Sequence, residues 1–258
     1  MKFLGIIPSR YASTRFPGKP LADIGGKTMI RRVYEQACNT VDNLYVATDD
    51  ERIFEAVRAF GGNVVITSSE HRSGTDRCYE AYKKIGDGYD VVINIQGDEP
   101  FIQPEQIELL KSCFKSDKSD NADTQIATLV KAFDADGDFE HTLFNPNSPK
   151  VVLNNRNEAI FFSRSVIPYI RGTKHTEWLK KHVYYKHIGM YAYRSDILKE
   201  ITSLPQSSLE IAESLEQLRW LQNGYRISVA LTTVETIGID TPEDLETANC
   251  RFKSFPAK

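Results

Sequence analysis

The feature that most limits what this chain can fold into is the alternation, in its first half, of short apolar runs with amphipathic stretches. The apolar runs have the length and composition of buried strands; they are Phe3–Ile7, Leu44–Thr48, Val64–Thr67 and Val91–Gln96. The stretches that follow them have helical periodicity; they are Met29–Cys38, Glu51–Phe60, 75–85 and Pro104–Phe114. This alternation is typical of βαβ units, whose parallel strands are covered on both faces. We therefore predict an α/β fold with a mostly parallel sheet and helices on both of its faces.

The second half of the chain has a different pattern, which is rich in strand signals. The apolar runs 151–153 and 159–163 flank the four polar residues 154–157, which predict a β-hairpin. Strand propensity is also high over Ile126–Phe133 and over Tyr184–Arg194. No stretch rich in Gly, Pro or Ser separates the two halves. We therefore predict one Rossmann-like domain over residues 1–258, with a β-rich insertion at about 130–195.

Helical and strand signals return after the insertion. Leu209–Leu221 is predicted to form one amphipathic helix, with Ile211, Leu215 and Leu218 on its apolar face. A strand at 227–231 and a final helix at 242–252 follow.

Composition excludes several classes of protein. The net charge of −3 disfavours a general nucleic-acid binder, which is usually basic. The four cysteines match no zinc pattern and are interpreted as reduced thiols. The first apolar run is too short for a signal peptide, and no run approaches the ~18 residues that a membrane helix needs. We therefore expect a cytoplasmic protein without membrane attachment.

The loop after the first predicted strand, 8–20, is the strongest candidate for a ligand site. It contains Arg10, Ser13, Arg15 and Lys19 and no acidic residue. Ligands of open parallel sheets bind beyond the carboxyl ends of the strands. Arginine forks, a lysine point charge and main-chain N–H groups can together hold a polyphosphate. We favour this interpretation over a solvated basic loop.

Two common nucleotide-binding motifs are absent from the chain. Gly25–Thr28 looks like the end of a P-loop, but Leu21 stands where that motif requires its first glycine. The pattern G-x-G-x-x-G does not occur. The Gly-Gly pair is instead predicted to form a turn. Asp49 and Asp50 lie between a predicted strand and a helix, and we assign them mainly to helix capping.

Two aspartates lie at the edges of predicted elements, one after a strand and one before a helix. Asp98 follows the apolar run that ends at residue 96, where Mg²⁺ and phosphate would meet; a simple turn residue is an equal alternative. Asp240 precedes a helix start in which Thr241 is the cap, proline follows and Asp244 is the acid three residues after the cap. Capping does not require Asp240, which lies just outside this helix start and by itself is a plain loop residue.

The segment Arg10–Pro20 resembles the R-x-x-S-x-R-x-P-x-K loop of the sugar nucleotidyltransferases that activate sugar acids with CTP. Ordered matches continue over nearly the whole chain; they are Ala47–Asp49, Ser73–Arg77, Asn94–Pro100, Phe161–Arg164, His187–Gly189, Leu215–Arg219 and Gly238–Leu245. Among these enzymes, the chain is most similar to those that act on 3-deoxy-manno-octulosonate (KDO), a lipopolysaccharide sugar. The resemblance implies a GT-A-like fold and the conversion of CTP and KDO to CMP-KDO and diphosphate in a Gram-negative cytoplasm.

The resemblance also implies roles for individual residues. Those implied to bind the nucleotide are Arg10, Ser13, Arg15, Lys19, Ser73, Arg77 and Gln96, and those implied in catalysis are Arg15, Lys19 and Asp98. Those implied to bind the sugar acid are Gln96, Arg164, His187, Tyr191, Glu216 and Gln217. Mg²⁺ is implied as the cofactor, held by Asp98 and Asp240, and the β-rich insertion is implied to form a homodimer.

The residues alone favour less specific roles for several members of this set. The segment Gly74–Arg77 has the pattern of a helix cap, and His187 lies among aromatic residues where a structural histidine is equally expected. Glu216 and Gln217 would be read as a solvated helix surface. Only the resemblance favours binding roles for them.

Two alternative functions remain open from the sequence. The first is a cytidylyltransferase for another sugar acid, either 8-amino-KDO or a sialic acid. Sialate enzymes have a differently composed first loop that lacks the Tyr11–Arg15 string, whereas the amino variant is harder to exclude. The second is a non-catalytic nucleotide-binding regulator. Such a protein could lose its metal carboxylates, and the presence of both Asp98 and Asp240 favours the enzyme.

Overall fold

A computed structural model describes residues 1–12, 15–115, 124–136, 141–235 and 238–254 of the chain. The strands are β1 (Phe3–Ser9), β2 (Asp23–Ile24), β3 (Lys27–Thr28), β4 (Asn43–Thr48), β5 (Val64–Ile66), β6 (Val91–Asn94), β7 (Ile126–Ala132), β8 (Lys150–Leu153), β9 (Ala159–Ser163), β10 (Tyr185–Arg194) and β11 (Ile227–Leu231). The α-helices are α1 (Met29–Ala37), α2 (Glu51–Ala59), α3 (Gly74–Ile85), α4 (Pro104–Lys115), α5 (Trp178–Lys181), α6 (Ser195–Thr202), α7 (Ser208–Glu213), α8 (Gln217–Gln222) and α9 (Pro242–Ser254).

Membrane-spanning helices are absent from the part of the chain that the structure describes: no helix there has both the length and the apolar character that a crossing requires.

The chain divides into two compact units. The first consists of Met1–Glu108 and Thr236–Lys258, and the second of Leu109–Glu235, so that one boundary falls inside α4. The second unit is wider than the predicted insertion at 130–195, because it also contains β7 and β11. The single-domain organisation of the whole chain stays a prediction.

The first unit contains a parallel sheet with the strand order β5-β4-β1-β6. Each of these pairings is parallel, with registers such as Ile6 opposite Tyr45 and Ile6 opposite Asn94. Buried aliphatic side chains fill the strands, and helices α1, α2 and α3 pack against them. The predicted α/β class, with a mostly parallel sheet and helices on both sides, is confirmed. Because consecutive strands are added first on one side of β1 and then on the other, β1 and β6 meet at a topological switch point.

The second unit is rich in strands, as the sequence pattern predicts, and most of its strand pairings are antiparallel. β10 pairs antiparallel with both β7 and β8, and β8 pairs antiparallel with β9. The residues between β8 and β9 form a tight turn in which Asn157 has a φ of 57°, a conformation that asparagine tolerates. The predicted hairpin is therefore confirmed. β11 is an exception in this unit, since it pairs with β7 in parallel.

The predicted single helix over 209–221 is wrong. The segment forms two short helices, α7 and α8, that are separated at Ser214, whose φ of 50° is left-handed. Ile211, predicted to lie on the apolar face, is 64% exposed, whereas Leu218 is fully buried. The break changes which side chains face the interior. The strand-rich interpretation of this half also missed α6.

Candidate functional site

The loop that follows β1 is held in shape by contacts between its two ends. The main-chain N–H of Gly18 donates a hydrogen bond to the carbonyl oxygen of Tyr11 (3.0 Å). Gly18 has a φ of 73°, and a Cβ atom there would lie 3.0 Å from the Tyr11 hydroxyl oxygen, so the position favours glycine. A 3₁₀ turn over Lys19–Leu21 follows directly and orients the lysine. Ser13, predicted to bind phosphate, lies outside the described residues.

Lys19 lies between two aspartates. Its Nζ atom is 2.8 Å from Oδ2 of Asp98 and 3.2 Å from Oδ1 of Asp240. Arg15 Nη1 is 3.2 Å from the other carboxylate oxygen of Asp240. The Lys19 side chain is 15% exposed and that of Arg15 is 65% exposed, so solvent screens the lysine contacts far less. The structure thus brings two cations of one loop together with two aspartates that lie far away along the chain.

The two aspartates are held by contacts of the main chain around them. The N–H of Ile239, a fully buried residue, donates to the carbonyl oxygen of Asp98 (2.9 Å). The Asp244 carboxylate accepts hydrogen bonds from the N–H groups of Asp240 (3.0 Å) and Thr241 (2.9 Å). Thr241 Oγ1 in turn accepts from the N–H of Asp244 (3.2 Å), which completes the predicted capping box of α9. The backbone on both sides of Asp240 is therefore constrained.

Lys19 and the two aspartates line a cleft of about 250 Å³ at the carboxyl ends of β1 and β6. The predicted site residues in its wall are Arg10, Arg15, Lys19, Gln96, Asp98 and Asp240. A second cleft, of about 170 Å³, also has Arg10 and Gln96 in its wall, together with Ser73 and Arg77. The clefts lie where the switch point of the sheet predicts a ligand crevice.

Arg77, which lies in the wall of the second cleft, has two protein partners. The buried guanidinium donates from Nη1 to Thr67 Oγ1 (2.6 Å) and from Nη2 to Asp49 Oδ2 (3.1 Å). The assignment of Asp49 to helix capping is therefore wrong, because its carboxylate pairs with Arg77. No local signal in the sequence indicates this pair, since its two members belong to different βα units.

Local capping predictions are otherwise confirmed in this unit. Asp50 accepts from the N–H of Arg52 (3.0 Å) as the N-cap of α2. A cap also begins α3, but it is Ser73, one residue before the predicted segment 74–77; Ser73 Oγ accepts from the N–H of Asp76 (3.1 Å). The two glycines between β2 and β3 have φ values of 57° and 82° and form the predicted turn.

Asp98 and Asp240 suit a divalent cation that prefers oxygen ligands. One ammonium group contacts both carboxylates, so the two are near enough to share a single cation. Mg²⁺ is usually bound through one or two carboxylates, with water and substrate phosphates completing its ligands. Over the described ranges, no group of three or more His, Cys, Asp or Glu side chains could hold a metal. Asp98 and Asp240 supply the two carboxylates that such an ion usually takes from protein, so they fit Mg²⁺ whose other ligands are water and substrate phosphate.

In the second unit, His187 and Tyr191 belong to a cluster of aromatic rings. Their ring centroids are 5.3 Å apart, and His187 Nε2 is 3.1 Å from Thr128 Oγ1. Desolvation lowers the pKa of His187 to about 3, so the imidazole is neutral at neutral pH. Burial raises the pKa of Tyr191, which keeps its phenol protonated. Thr128 is a contact that was not predicted; its only signal in the sequence is a single polar residue inside an apolar run, and the structure shows that it is buried.

Arg164, predicted to bind the sugar carboxylate, makes three hydrogen bonds to main-chain carbonyl oxygens. Nε donates to Glu213 (2.6 Å), Nη1 to Pro146 (2.9 Å) and Nη2 to Ser214 (3.2 Å). A guanidinium has five N–H donors, and these bonds use each nitrogen once. Arg164 therefore stabilises the main chain around it through these three hydrogen bonds.

Gln217 is buried rather than solvated, so the surface interpretation of this residue is wrong. It begins α8 and is 4% exposed. Its Nε2 atom and Nε1 of Trp220 are buried without a hydrogen-bond partner among the residues that the structure describes. Glu216, the preceding residue, forms an ion pair with Arg219 at 2.6 Å. Buried donors without partners are suited to a polar ligand, because leaving them unpaired is costly.

The low pKa of His187 predicts an acid-sensitive fold. Between pH 6.5 and about 3 the unfolded chain binds a proton at this imidazole and the folded chain does not. Stability therefore falls as the pH falls through this window, by at most about 1.4 kcal/mol per pH unit from this residue. Urea unfolding of wild type and His187→Gln at pH 7, 6, 5 and 4 checks this. We expect a shallower loss of unfolding free energy in the variant.

His182→Gln is the control for this experiment, because His182 is exposed in the same unit. Its loss of stability with falling pH should follow that of wild type. Equal pH dependence in wild type and His187→Gln would contradict the prediction.

The parallel sheet, the cationic loop and the carboxylate pair at the switch point define a nucleotide-binding α/β protein. A model of the cytidylyltransferase family matches residues 4–228. Two 3-deoxy-manno-octulosonate cytidylyltransferases are similar over 248 residues, which are 96% of this chain and 97% of each relative. The protein from Parabacteroides distasonis is 71% identical and that from Bacteroides thetaiotaomicron 66%. The chain therefore belongs to the cytidylyltransferase family and, within it, to the 3-deoxy-manno-octulosonate cytidylyltransferases.

Solved structures agree with this assignment. A CMP:2-keto-3-deoxy-manno-octonic acid synthetase complexed with CTP is 42% identical, with a TM-score of 0.88 and coverage of 98% of this chain and 99% of that one. A 4-diphosphocytidyl-2C-methyl-D-erythritol synthase from Anaerococcus prevotii is 14% identical, with a TM-score of 0.59 and coverage of 98% and 99%. The second likeness shows a shared fold alone.

Proposed function

We propose that this protein transfers the cytidylyl group of CTP to KDO, giving CMP-KDO and diphosphate. The observation that carries the proposal is the cleft in which Lys19 contacts Asp98 and Asp240, in a chain that is 71% identical to a 3-deoxy-manno-octulosonate cytidylyltransferase. The cationic loop supplies the charge for a triphosphate, and the aspartates supply the ligands for its counter-ion. This arrangement favours an enzyme over a nucleotide-binding regulator that lacks metal carboxylates.

The proposed reaction makes one bond and breaks one. The anomeric hydroxyl oxygen of KDO bonds to the α-phosphorus of CTP, while the bond from that phosphorus to the oxygen bridging to the β-phosphate breaks. The hydroxyl proton passes to solvent, and diphosphate leaves with the electron pair. Lys19 and Arg15 stabilise the negative charge that develops on the leaving diphosphate. The triphosphate oxygens compete with the aspartates for the N–H donors of these two side chains.

Asp98 and Asp240 are proposed to hold the Mg²⁺ that accompanies the nucleotide. When bound there, Mg²⁺ supplies positive charge that polarises the α-phosphate and favours ionisation of the attacking hydroxyl. Arg10, Ser73, Arg77 and Gln96 are proposed to contact the remainder of the nucleotide, because they line the two clefts.

The sugar acid is proposed to bind through Gln96, Arg164, His187, Tyr191, Glu216 and Gln217. The neutral imidazole of His187 and the neutral phenol of Tyr191 suit hydroxyl groups, which both donate and accept hydrogen bonds. The buried amide of Gln217 has donors for the same purpose. Arg164 provides the positive charge for the carboxylate.

We also propose that the protein is a cytoplasmic homodimer that serves lipopolysaccharide biosynthesis, in keeping with the substrate. Exposed apolar side chains of the second unit support a contact between copies: Ile160 is 58% exposed, Tyr169 69% and Val183 55%. Light scattering at micromolar concentration tests the assembly.

Diphosphate release from CTP with KDO and Mg²⁺ tests the proposed function. We expect release that depends on KDO, with little release when the sugar is omitted or replaced by sialic acid. Parallel reactions with 8-amino-KDO decide between the two most similar substrates. A folded protein that binds CTP but releases diphosphate with none of these sugars would contradict the proposal and favour the regulator.

A further inference from the structure

Lys150 is a buried charge that no step of the proposed reaction uses. The residue is fully buried at the start of β8, in register with Ser163 on β9. Its Nζ atom donates to the carbonyl oxygens of Asn145 and Arg164, both at 2.9 Å. Desolvation, together with the charge of Arg164, lowers the pKa of Lys150 to about 8. An ammonium is costly to bury, but an apolar side chain here would leave two main-chain oxygens without their donor.

Arg164 extends these contacts to the turn between α7 and α8. Its main-chain N–H donates to Glu213 Oε2 (2.9 Å), and Ser163 Oγ donates to Glu213 Oε1 (2.6 Å). Its guanidinium donates to the carbonyl oxygens of Glu213 and Ser214 on one side and of Pro146 on the other. Lys150 therefore stabilises the main chain of Arg164, and the side chain of Arg164 in turn stabilises this turn.

The turn needs such an anchor because of its backbone conformation. Ser214 has a φ of 50°, which is unfavourable for a residue with a Cβ atom. Glu216 and Gln217 follow within three residues, so the conformation at Ser214 sets where their side chains point. Gln217 Nε2 is one of the buried donors that the proposed sugar site would use.

We propose that Lys150 is a positioning residue, whose ammonium fixes Arg164 and, through it, the 213–217 turn that presents side chains to the sugar acid. This inference rests on the proposed function, because the binding roles of Glu216 and Gln217 belong to it. Lys150 itself touches neither substrate nor metal in this scheme; it acts through hydrogen bonds to the protein main chain.

Lys150→Met tests the inference, because methionine keeps an unbranched apolar stem and removes the N–H donors. We expect the KM for KDO to rise at least about tenfold, with the KM for CTP changed by less than about twofold. We also expect amide hydrogen exchange over 213–217 to accelerate at least about tenfold, because the turn loses its anchor.

Lys186→Met is the matched control. Lys186 is the register partner of Lys150 on β10, but its ammonium pairs with Glu235 (2.8 Å) at the surface. Both kinetic constants and the exchange of 213–217 should stay at their wild-type values in this variant.

Unchanged exchange over 213–217, with a KM for KDO within about twofold of wild type, would overturn the inference. Equal rises in KM for both substrates would also overturn it, since they indicate a general structural role. Should Lys150→Met fail to fold, the same measurements are made on Lys150→Gln. Its amide keeps the buried site polar, but its nitrogen lies one bond nearer the main chain than lysine Nζ and does not reach both carbonyl oxygens; we expect the same changes at a smaller size, and unchanged values would overturn the inference. The exchange measurement does not depend on turnover. Faster exchange in a protein whose wild type shows no KDO-dependent diphosphate release would support the anchor and contradict the proposed function.

Discussion

Asp98→Asn is expected to lower kcat at least about 10³-fold and to leave the fold intact. Asparagine has nearly the size of aspartate, and the hydrogen bond from Ile239 reaches the carbonyl oxygen of residue 98 rather than its side chain. The substitution removes one of the two carboxylates proposed to hold Mg²⁺. Metal-ion catalysis supplies several kcal/mol, and each ~1.4 kcal/mol is a factor of ten in rate. Diphosphate release at saturating CTP, KDO and Mg²⁺ measures the effect.

Asp87→Asn provides the control for this loss of charge. Asp87 is exposed just beyond α3, and its substitution should leave turnover and thermal stability at wild-type values. Circular dichroism and Tm establish that Asp98→Asn is folded. Near-normal turnover of folded Asp98→Asn at saturating Mg²⁺ would show that Asp98 is not a metal ligand.

Lys19→Met is expected to lower kcat/KM for CTP at least about 100-fold. A hydrogen bond to a charged group contributes about 1.5–3 kcal/mol, and more where charge develops in the transition state. The Lys19 side chain is only 15% exposed, so water replaces its charge poorly. Arg15→Ala should have the smaller effect, because that side chain is 65% exposed. Steady-state kinetics with varied CTP compare the two variants.

Lys27→Met is the control for Lys19→Met, because Lys27 lies in the same unit and pairs with Glu35 (2.6 Å) away from the cleft. It should retain wild-type kcat/KM. If both Lys19→Met and Arg15→Ala also retain it, the loop does not bind the phosphates of CTP.

Much of the first unit was predictable because its signals are local. The apolar runs that predict β1, β4, β5 and β6 are short and continuous, as strands buried on both faces require. Thr241 and Asp244 form their capping box from residues three apart, so the start of α9 is visible in the sequence. The basic loop was identifiable because its cations directly follow the predicted strand β1, and ligands of open parallel sheets bind beyond the carboxyl ends of the strands.

The second unit shows where local signals fail. The pattern over 209–221 has helical periodicity on both sides of Ser214, and nothing near it in the sequence requires a left-handed residue. The hydrogen bonds from Arg164 to Glu213 and Ser214 favour the break, and Arg164 lies far away along the chain. The break at Ser214 also gives α8 a different direction from that of a continuous helix, and Gln217 is buried as a result.

Local patterns predict the strands other than β2 and β3, most helix starts of the first unit and the composition of the basic loop, because periodicity and capping depend on residues within a few positions of one another. Which charges meet depends instead on the folded chain. Lys19 contacts Asp98 and Asp240, and Lys150 supports Arg164, since strand order and core packing bring distant segments together. Contacts of this kind depend on the path of the whole chain, which local preference does not encode.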